Sequence, residues 1–338
     1  MPTPLTRRAL ALTLASTLVA SGLLTTAPSF AQTSSTNTTG WPAKPVRWIV
    51  GYPAGGGTDF LARTIAAQVS TQLGQPVVVD NRPGAAAIIG SEITAKAPGD
   101  GYTVFTADNG VLVYNPALYK KLPYDPAKDF AMIGLMARAP LMLVAAPSAD
   151  IKDGKTLLDL LKKNPGKYTY ATPGNGSPHH LAMELLKSRA GLFVVHAPYR
   201  GAAPALQDVM GGQVPLMMVD TPSGINAVKS GKLVPLIMLS DKRIPQLPDV
   251  PTATELGLNG LEAYAWQGMV VPVSTPKDLQ TRLTKELQTA LSDPAVRKKL
   301  SDAAWEPIPS DAAAMSAYTA SETKIWHALI KDRGITLE

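Results

Sequence analysis

The chain has no cysteine. Disulfides and thiolate chemistry are therefore excluded, and any folded form must rest on its apolar core. Histidine is scarce: His179, His180, His196 and His327 are the only four. Adjacent histidines on a helix point about 100° apart, so His179 and His180 cannot readily share a metal ion, and no HExxH motif is present. No Gly-Lys-Ser/Thr follows any glycine run, which excludes a P-loop, and Gly-x-Gly-x-x-Gly is missing because Thr58 and Phe60 stand where it would need glycine. The Gly-x-Ser-x-Gly elbow is missing too, so Ser177 beside His180 resembles a nucleophile and base only superficially. Basic residues are spread without a stripe, which argues against a nucleic-acid partner. No cofactor is expected.

Proline and glycine, by contrast, are plentiful, at 57 of 338 residues, above the usual share of about 12%. With 45% hydrophobic residues this describes a loop-rich globular protein. Residues 1–31 read as an export signal: Arg7 and Arg8, an apolar run from Ala9 to Leu24, and small residues at Ser29-Phe30-Ala31. Cleavage after Ala31 would leave Gln32 first on an exported chain. The paired arginines raise the twin-arginine route, but their neighbours match it poorly and the general secretory route is favoured. Residues 32–43 form a polar, flexible leader. Without the signal's two arginines, 30 basic residues face 26 acidic ones, a net charge of +4. No later apolar run is long enough to span a bilayer.

The chain is organised around Val46 to Arg63, which reads as strand, glycine loop and helix. Residues 46–50 suit a strand buried on both faces. Gly55-Gly56-Gly57 permits a sharp turn with exposed N–H groups, and Thr58 or Asp59 can cap the helix that follows. Leu61, Ile65, Val69 and Leu73 give that helix one apolar stripe. Such a loop is either a plain tight turn or an anion site at a helix N-terminus. Strands at residues 76–80 and 102–106 and a helix at 85–97 complete a βαβαβ unit, with Asp108 and Asn109 past the third strand. The apolar stretch from Phe130 to Ala146 is long for one strand, and its Pro140 is awkward for a helix; it is expected to carry the chain between two domains.

The pattern then restarts. A helix at 155–163 and a strand at 168–172 lead to the loop Pro173-Gly174-Asn175-Gly176-Ser177-Pro178, with Ser177 as N-cap and Pro178 at the first helical position of 179–189. A strand at 193–196 ends at His196, a structural histidine on this reading. Pro198-Tyr199-Arg200-Gly201 precedes a helix at 203–210. Strands at 214–219, with Asp220 at its end, and at 234–239 follow. Residues 241–260 are loop with one short helix, and 264–271 is a strand making the second crossing. Thr275-Pro276-Lys277-Asp278 reads as a capping box, followed by a stripe at Leu279, Leu283, Leu287 and Leu291, and a last helix runs through Met315, Tyr318, Ile325 and Leu329. Asp59 and Asp220 at strand ends suit binding an amine, proton transfer or plain helix capping. Two glycine loops thus face each other across a cleft without an evident catalytic group.

From Lys44 onward the chain resembles the Bug family of periplasmic solute-binding proteins, the receptors of tripartite tricarboxylate transporters. The resemblance rests on Tyr52-Pro53-Ala54-Gly55-Gly56-Gly57-Thr58-Asp59, Asn81-Arg82-Pro83-Gly84-Ala85, Gly174-Asn175-Gly176-Ser177 with His180-Leu181, Pro198-Tyr199-Arg200-Gly201, Gly212-Gln213-Val214, Leu247-Pro248-Asp249-Val250-Pro251-Thr252 and Trp266-Gln267-Gly268. It implies an α/β, two-domain periplasmic-binding-protein (Venus flytrap) fold, each domain a mostly parallel sheet flanked by helices. Domain 1 would comprise residues 44–138 and 262–338, and domain 2 residues 139–261. The implied function is capture of a small organic carboxylate, by a monomer, for the membrane subunits of a transporter or for a periplasmic sensor domain; a periplasmic enzyme using the same cleft is the alternative. The implied ligand residues are Tyr52, Ala54, Gly55, Gly56, Thr58 and Asp59, then Gly174, Asn175, Gly176 and Ser177, with Tyr199, Arg200, Gly201, Asp220 and Trp266 as further wall residues. Arg200 replaces the family's usual lysine, as a bidentate clamp or a surface charge. Ala86, Ala87, Ile88 and Ile89 replace its usual glycines, which implies a narrower, more apolar mouth.

Overall fold

The computed structural model describes residues 40–84 and 86–337; the expected signal and most of the leader lie outside the described residues. In chain order the elements begin with β1 (Val46–Val50), α1 (Gly57–Leu73), β2 (Val77–Asn81), α2 (Ile88–Ala95), β3 (Thr103–Asp108), α3 (Asn115–Leu118), α4 (Pro126–Asp129) and β4 (Phe130–Ala145). Next come α5 (Gly154–Lys163), β5 (Thr169–Thr172), α6 (Pro178–Ala190), β6 (Val195–Pro198), α7 (Ala202–Met210), β7 (Leu216–Asp220), α8 (Thr221–Lys229) and β8 (Val234–Leu239). The last are β9 (Tyr264–Pro272), α9 (Lys277–Ser292), α10 (Pro294–Asp302), β10 (Glu306–Pro307) and α11 (Ala312–Asp332). Among the described residues no helix is long and apolar enough to cross a membrane.

The strands run in the order β2-β1-β3-β9-β4-β7-β5-β6, with β8 and β10 also paired to β4. Two parallel groups, β2–β1–β3 and β7–β5–β6, flank a centre whose pairings are antiparallel. Trp48, Ile49 and Val50 are fully buried, as a strand covered on both faces requires.

The stretch at 130–146 proves to be a single strand of 16 residues. It runs this far because it changes partners. Phe130 to Pro140 pairs with β9, whereas Leu141 to Ala145 pairs with β7 and β8. Pro140 falls at the change, where the ladder with β9 ends at Tyr264 and its missing N–H breaks no continuing ladder. Leu141 N–H resumes bonding at once, to the carbonyl of Ala263.

Other expectations are corrected. The helix expected over 85–97 starts at Ile88, because Ala86 and Ala87 lie at positive φ of 51° and 65°. Ala87 there packs so tightly on the end of β1 that a Cβ added at Gly51 would lie 2.5 Å from its own. The third strand continues through Asp108, β6 starts at Val195 rather than Phe193, and β7 starts at Leu216. The capping box at Thr275 does not form: the N-cap of α9 is Pro276, without a side-chain bond, and the Thr275 hydroxyl is unpartnered. Leu279, Leu283, Leu287 and Leu291 are all buried against the α1 stripe. Each contributes about 2 kcal/mol, which far outweighs a cap worth about 1 kcal/mol. Helices α8 and α10 were not read from the sequence. Ile325 is exposed, and Trp326, its neighbour, carries the buried stripe of α11. α11 lies close over β4 and β9, where the Ser310 carbonyl and the Met315 thioether fill the space that side chains at Gly134 and Gly268 would need.

Ala86 occupies left-handed space at a cost of about 1 kcal/mol that glycine would not incur. Ala86→Gly should therefore raise the thermal midpoint by about 2 °C, measured by differential scanning calorimetry; a fall would show that the loop gains more from the methyl group than it loses in backbone strain.

Candidate functional site

The first glycine loop leaves the carboxyl end of β1. Gly55 takes a φ of 83°, and Gly56 is the N-cap of α1 with no side-chain bond. Pro53 to Gly56 are exposed, and Gly57 and Thr58 half-buried, so the first-turn N–H groups of a long helix point outward without a side-chain acceptor. Asp59 is not the cap. Its buried carboxylate turns inward, accepting from Gly55 N–H at 2.9 Å, Asn81 Nδ2 at 2.9 Å and Arg63 Nε at 2.9 Å. Asn81 also donates to the Tyr52 carbonyl at 3.0 Å and accepts from Arg63 Nη2 at 2.9 Å. Burial pushes the Asp59 carboxyl up, but the bonds from Arg63, Gly55 and Asn81 together hold it below the usual carboxylate range. This network fixes both ends of the loop. Tyr52 donates its hydroxyl to buried Asp108 at 2.5 Å, and Asp108, raised by burial, also accepts from Val111 N–H.

The second loop leaves β5. Ser177 is the N-cap of α6, accepting from His180 N–H at 3.2 Å and donating to the Gly174 carbonyl at 2.7 Å. The hydroxyl is thus bound into the turn and not aimed at an imidazole nitrogen. His180 Nδ1 instead accepts from Gly176 N–H at 3.2 Å. His180 stacks on His196 at 4.2 Å between centroids, and His196 on Tyr170 at 4.9 Å. His196 contacts Thr172 Oγ1 at 2.6 Å, and Thr172 Oγ1 accepts from Gly174 N–H. Burial, then His180 beside it, brings His196 down to about 3. The stack is therefore a neutral floor under the loop, and His196 is the structural histidine expected. Asn175 at the tip is exposed.

Backbone bonds strap the next loop to this one: Tyr199 N–H to the Thr172 carbonyl at 3.0 Å, and Gly201 N–H to the Pro173 carbonyl at 2.9 Å. Gly201, at φ 114°, is the N-cap of α7, again without a side-chain bond. Tyr199 donates to Asp208 at 2.7 Å, which raises its hydroxyl to about 12. Arg200 is exposed. Asp220 caps α8 through Ser223 N–H at 2.9 Å and pairs with His179 Nε2 at 2.9 Å. Burial pushes Asp220 up, but His179 and Ser223 hold it below its ordinary value.

These elements meet. A Cβ added at Gly57 would lie 3.5 Å from the Trp305 ring and 3.8 Å from Pro222 in the first turn of α8. Thr221 donates to the Ala304 carbonyl at 2.9 Å. Gly176 sits beneath Leu118 and Leu337. Trp266 is the exception among the expected residues. Its indole is fully buried, donates to Glu322 at 3.2 Å and meets Tyr318 edge-on. Its partners all belong to α11, and it does not join the loops. Gln267, which points to the other face of β9, donates to Thr58 Oγ1 at 3.3 Å. Strand alternation was the available signal: if Trp266 faces α11, its neighbour must face the opposite side. Arg63 stands one helical turn beyond Asp59, a spacing that also pointed to their pairing. Among the described residues, no group of three or more acidic, histidine or cysteine side chains could hold a metal ion.

The family described as tripartite tricarboxylate transporter family receptor matches residues 61–335. The chain belongs to this family. Among solved structures it is similar to the periplasmic binding protein BugD, with 35% identity, a TM-score of 0.79, and coverage of 88% of this chain and 99% of that one. An R. palustris protein solved with adipate is 32% identical at a TM-score of 0.83, with coverage of 88% and 99%. The MatC protein from Rhodopseudomonas palustris, with bound malate, is 29% identical at 0.78, with coverage of 86% and 99%. The receptor therefore has the mixed α/β fold of periplasmic binding proteins and serves as a solute-binding protein, not an enzyme.

The receptor's two glycine loops should respond differently to a side chain. At Gly56 φ is −81° and the nearest atom to an added Cβ is 3.6 Å away, so Gly56→Val should fold with stability changed by about 0.5 kcal/mol or less. At Gly176 φ is 71° and Leu337 lies 2.7 Å from an added Cβ, so Gly176→Val should lose about 2 kcal/mol or more. Denaturant titrations of the two variants check this; equal losses would mean that the loops are packed alike.

Proposed function

We propose that this receptor is exported by cleavage after Ala31 and captures a small organic carboxylate in the periplasm for the membrane subunits of a tripartite transporter, acting as a monomer. Its two lobes are residues 44–138 with 262–338 and residues 139–261. They move about Pro140 in β4 and the segment 261–263 before β9. The observation that carries the reading is the uncapped N-terminus of α1, held at the end of β1 by Asp59, Arg63 and Asn81, with the likewise uncapped α7 strapped beside the second loop. Helix ends of this kind favour anions. The acids adipate and malate bound by relatives support a carboxylate.

On this reading the carboxylate is held by the uncommitted N–H groups of Ala54, Gly56, Thr58 and Asn175 and the hydroxyl of Thr58, while Gly55, Gly174, Gly176 and Ser177, whose N–H groups already bond to Asp59, Thr172, His180 and Gly174, shape the two loops, and Tyr52, Tyr199, Arg200 and Gly201 stand around them. Asp59 and Asp220 hold the loops in place, and Trp266 supports β9 from the core. A partly buried helix end contributes up to about 2 kcal/mol to an anion, and a charge-assisted hydrogen bond about 1.5–3 kcal/mol. Micromolar affinity, about −8 kcal/mol, is then reachable without a buried cationic partner after the entropic cost of association. The contact of Gly57 with Pro222 and that of Gly176 with Leu118 and Leu337 are ones that closure would make and opening would break.

A thermal-shift screen of carboxylic acids, beginning with adipate and malate, tests the reading, since a ligand raises the midpoint by mass action. Replacing the captured carboxylate by an amide should weaken binding by about 2–4 kcal/mol. The acid, and not the amide, should reduce the radius of gyration in small-angle X-ray scattering. If Arg200→Ala weakens binding more than Thr58→Ala and Ser177→Ala together, a guanidinium clamp replaces backbone capture. For export, mass spectrometry of the periplasmic form should find Gln32 at or next to the N-terminus; residues 1–31 retained on a cytoplasmic protein would falsify that part.

A further inference from the structure

Three buried polar atoms around the first glycine loop and the α8 N-terminus have no hydrogen-bond partner: His179 Nδ1, Gln267 Oε1 and Trp305 Nε1. Their residues are 7%, 4% and 3% exposed. Each is tied to the same corner. Gln267 gives its amide nitrogen to Thr58, next to Gly57. The Trp305 ring lies against Gly57, which also faces Pro222. His179 is anchored to Asp220, the cap of the helix that Pro222 helps to open.

The donors and acceptors of this corner can be counted. An ionised carboxylate only accepts, so the bond to Asp220 requires the proton on His179 Nε2. In the neutral imidazole Nδ1 is then a bare acceptor. Gln267 likewise presents a carbonyl oxygen, its nitrogen being in use. Trp305 Nε1 is a donor only. The corner therefore lacks one acceptor, for Trp305, and donors, for His179 and Gln267. A carboxylate alone meets only the first need and leaves two buried acceptors unpaired, which is costly.

We infer that the ligand carries, beside its carboxylate, a hydrogen-bond donor read at His179 and Gln267, either an amino group, whose several N–H bonds can serve both acceptors, or a hydroxyl, whose single O–H serves one of them, while Trp305 donates to the carboxylate. This rests on the carboxylate-receptor reading above and adds the substituent. His179 is then the specificity-determining residue and Asp220 its positioning residue, fixing the tautomer that accepts.

Isothermal titration of the mature chain with two matched series tests it: succinate, malate and aspartate, then adipate, 2-hydroxyadipate and 2-aminoadipate. In one series or both, the hydroxy or the amino acid should bind about tenfold or more tighter than its unsubstituted parent, the scale of one satisfied buried hydrogen bond. Which substituent gains tells hydroxyl from amine. His179→Phe and Gln267→Met should each erase that preference, whichever way absolute affinity moves, and circular dichroism identifies a variant that fails to fold, in which case the other carries the test. Parents binding as tightly as their substituted partners would mean that water fills the corner, and would overturn the inference. A preference that survives both variants would overturn it as well. If no acid of either series binds, the carboxylate-receptor reading itself fails and takes this inference with it.

Discussion

The fold depends on β4. One strand of 16 residues supplies hydrogen-bonding edges to β9 and β10 along its first part and to β7 and β8 along its second. Everything that positions the site hangs from those edges. β9 brings β3 and β1 into register on one side, and β7 brings β5 and β6 on the other. The carboxyl ends of β1, β5, β6 and β7 then each open onto a helix. A proline is tolerated where the partners change, because that is where a missing N–H costs least.

The loops on this frame are held differently. The first is fixed electrostatically: Asp59, Arg63 and Asn81 saturate one another from within, and the helix end stays free. The second is fixed by packing and neutral hydrogen bonds, with His180, His196 and Tyr170 stacked under it and Leu118 and Leu337 over it. Burial and the neighbouring His180 disfavour a charge on His196 in that stack, and its depressed value reflects that.

Membership of the receptor family agrees with what the side chains are occupied with. Ser177, the one hydroxyl that could have suggested a nucleophile, is spent on capping α6, and His180 is spent on Gly176. The acidic residues at the strand ends hold backbone in place. What remains available at the loops is N–H groups, hydroxyls and a few buried polar atoms, a set suited to recognition and not to bond making.

The sequence by itself determined the local units: strand, glycine loop and helix at 46–73, the Ser177 cap with Pro178 behind it, and the leucine stripe of α9. Each is decided within a few residues by backbone freedom, capping and periodicity. Only the tertiary structure decided how those units are used. That 130–145 is one strand depends on partners more than 100 residues away in β9. The bond from His179 to Asp220 spans 41 positions and that from Gln267 to Thr58 spans 209. Whether Asp59 caps a helix or turns inward was settled by Asn81, 22 positions on. Trp266 was drawn into the core by α11 because an indole buries more apolar area there than at a polar rim. Such choices are competitions between distant groups for the same hydrogen bonds and the same space, and no local pattern records their outcome.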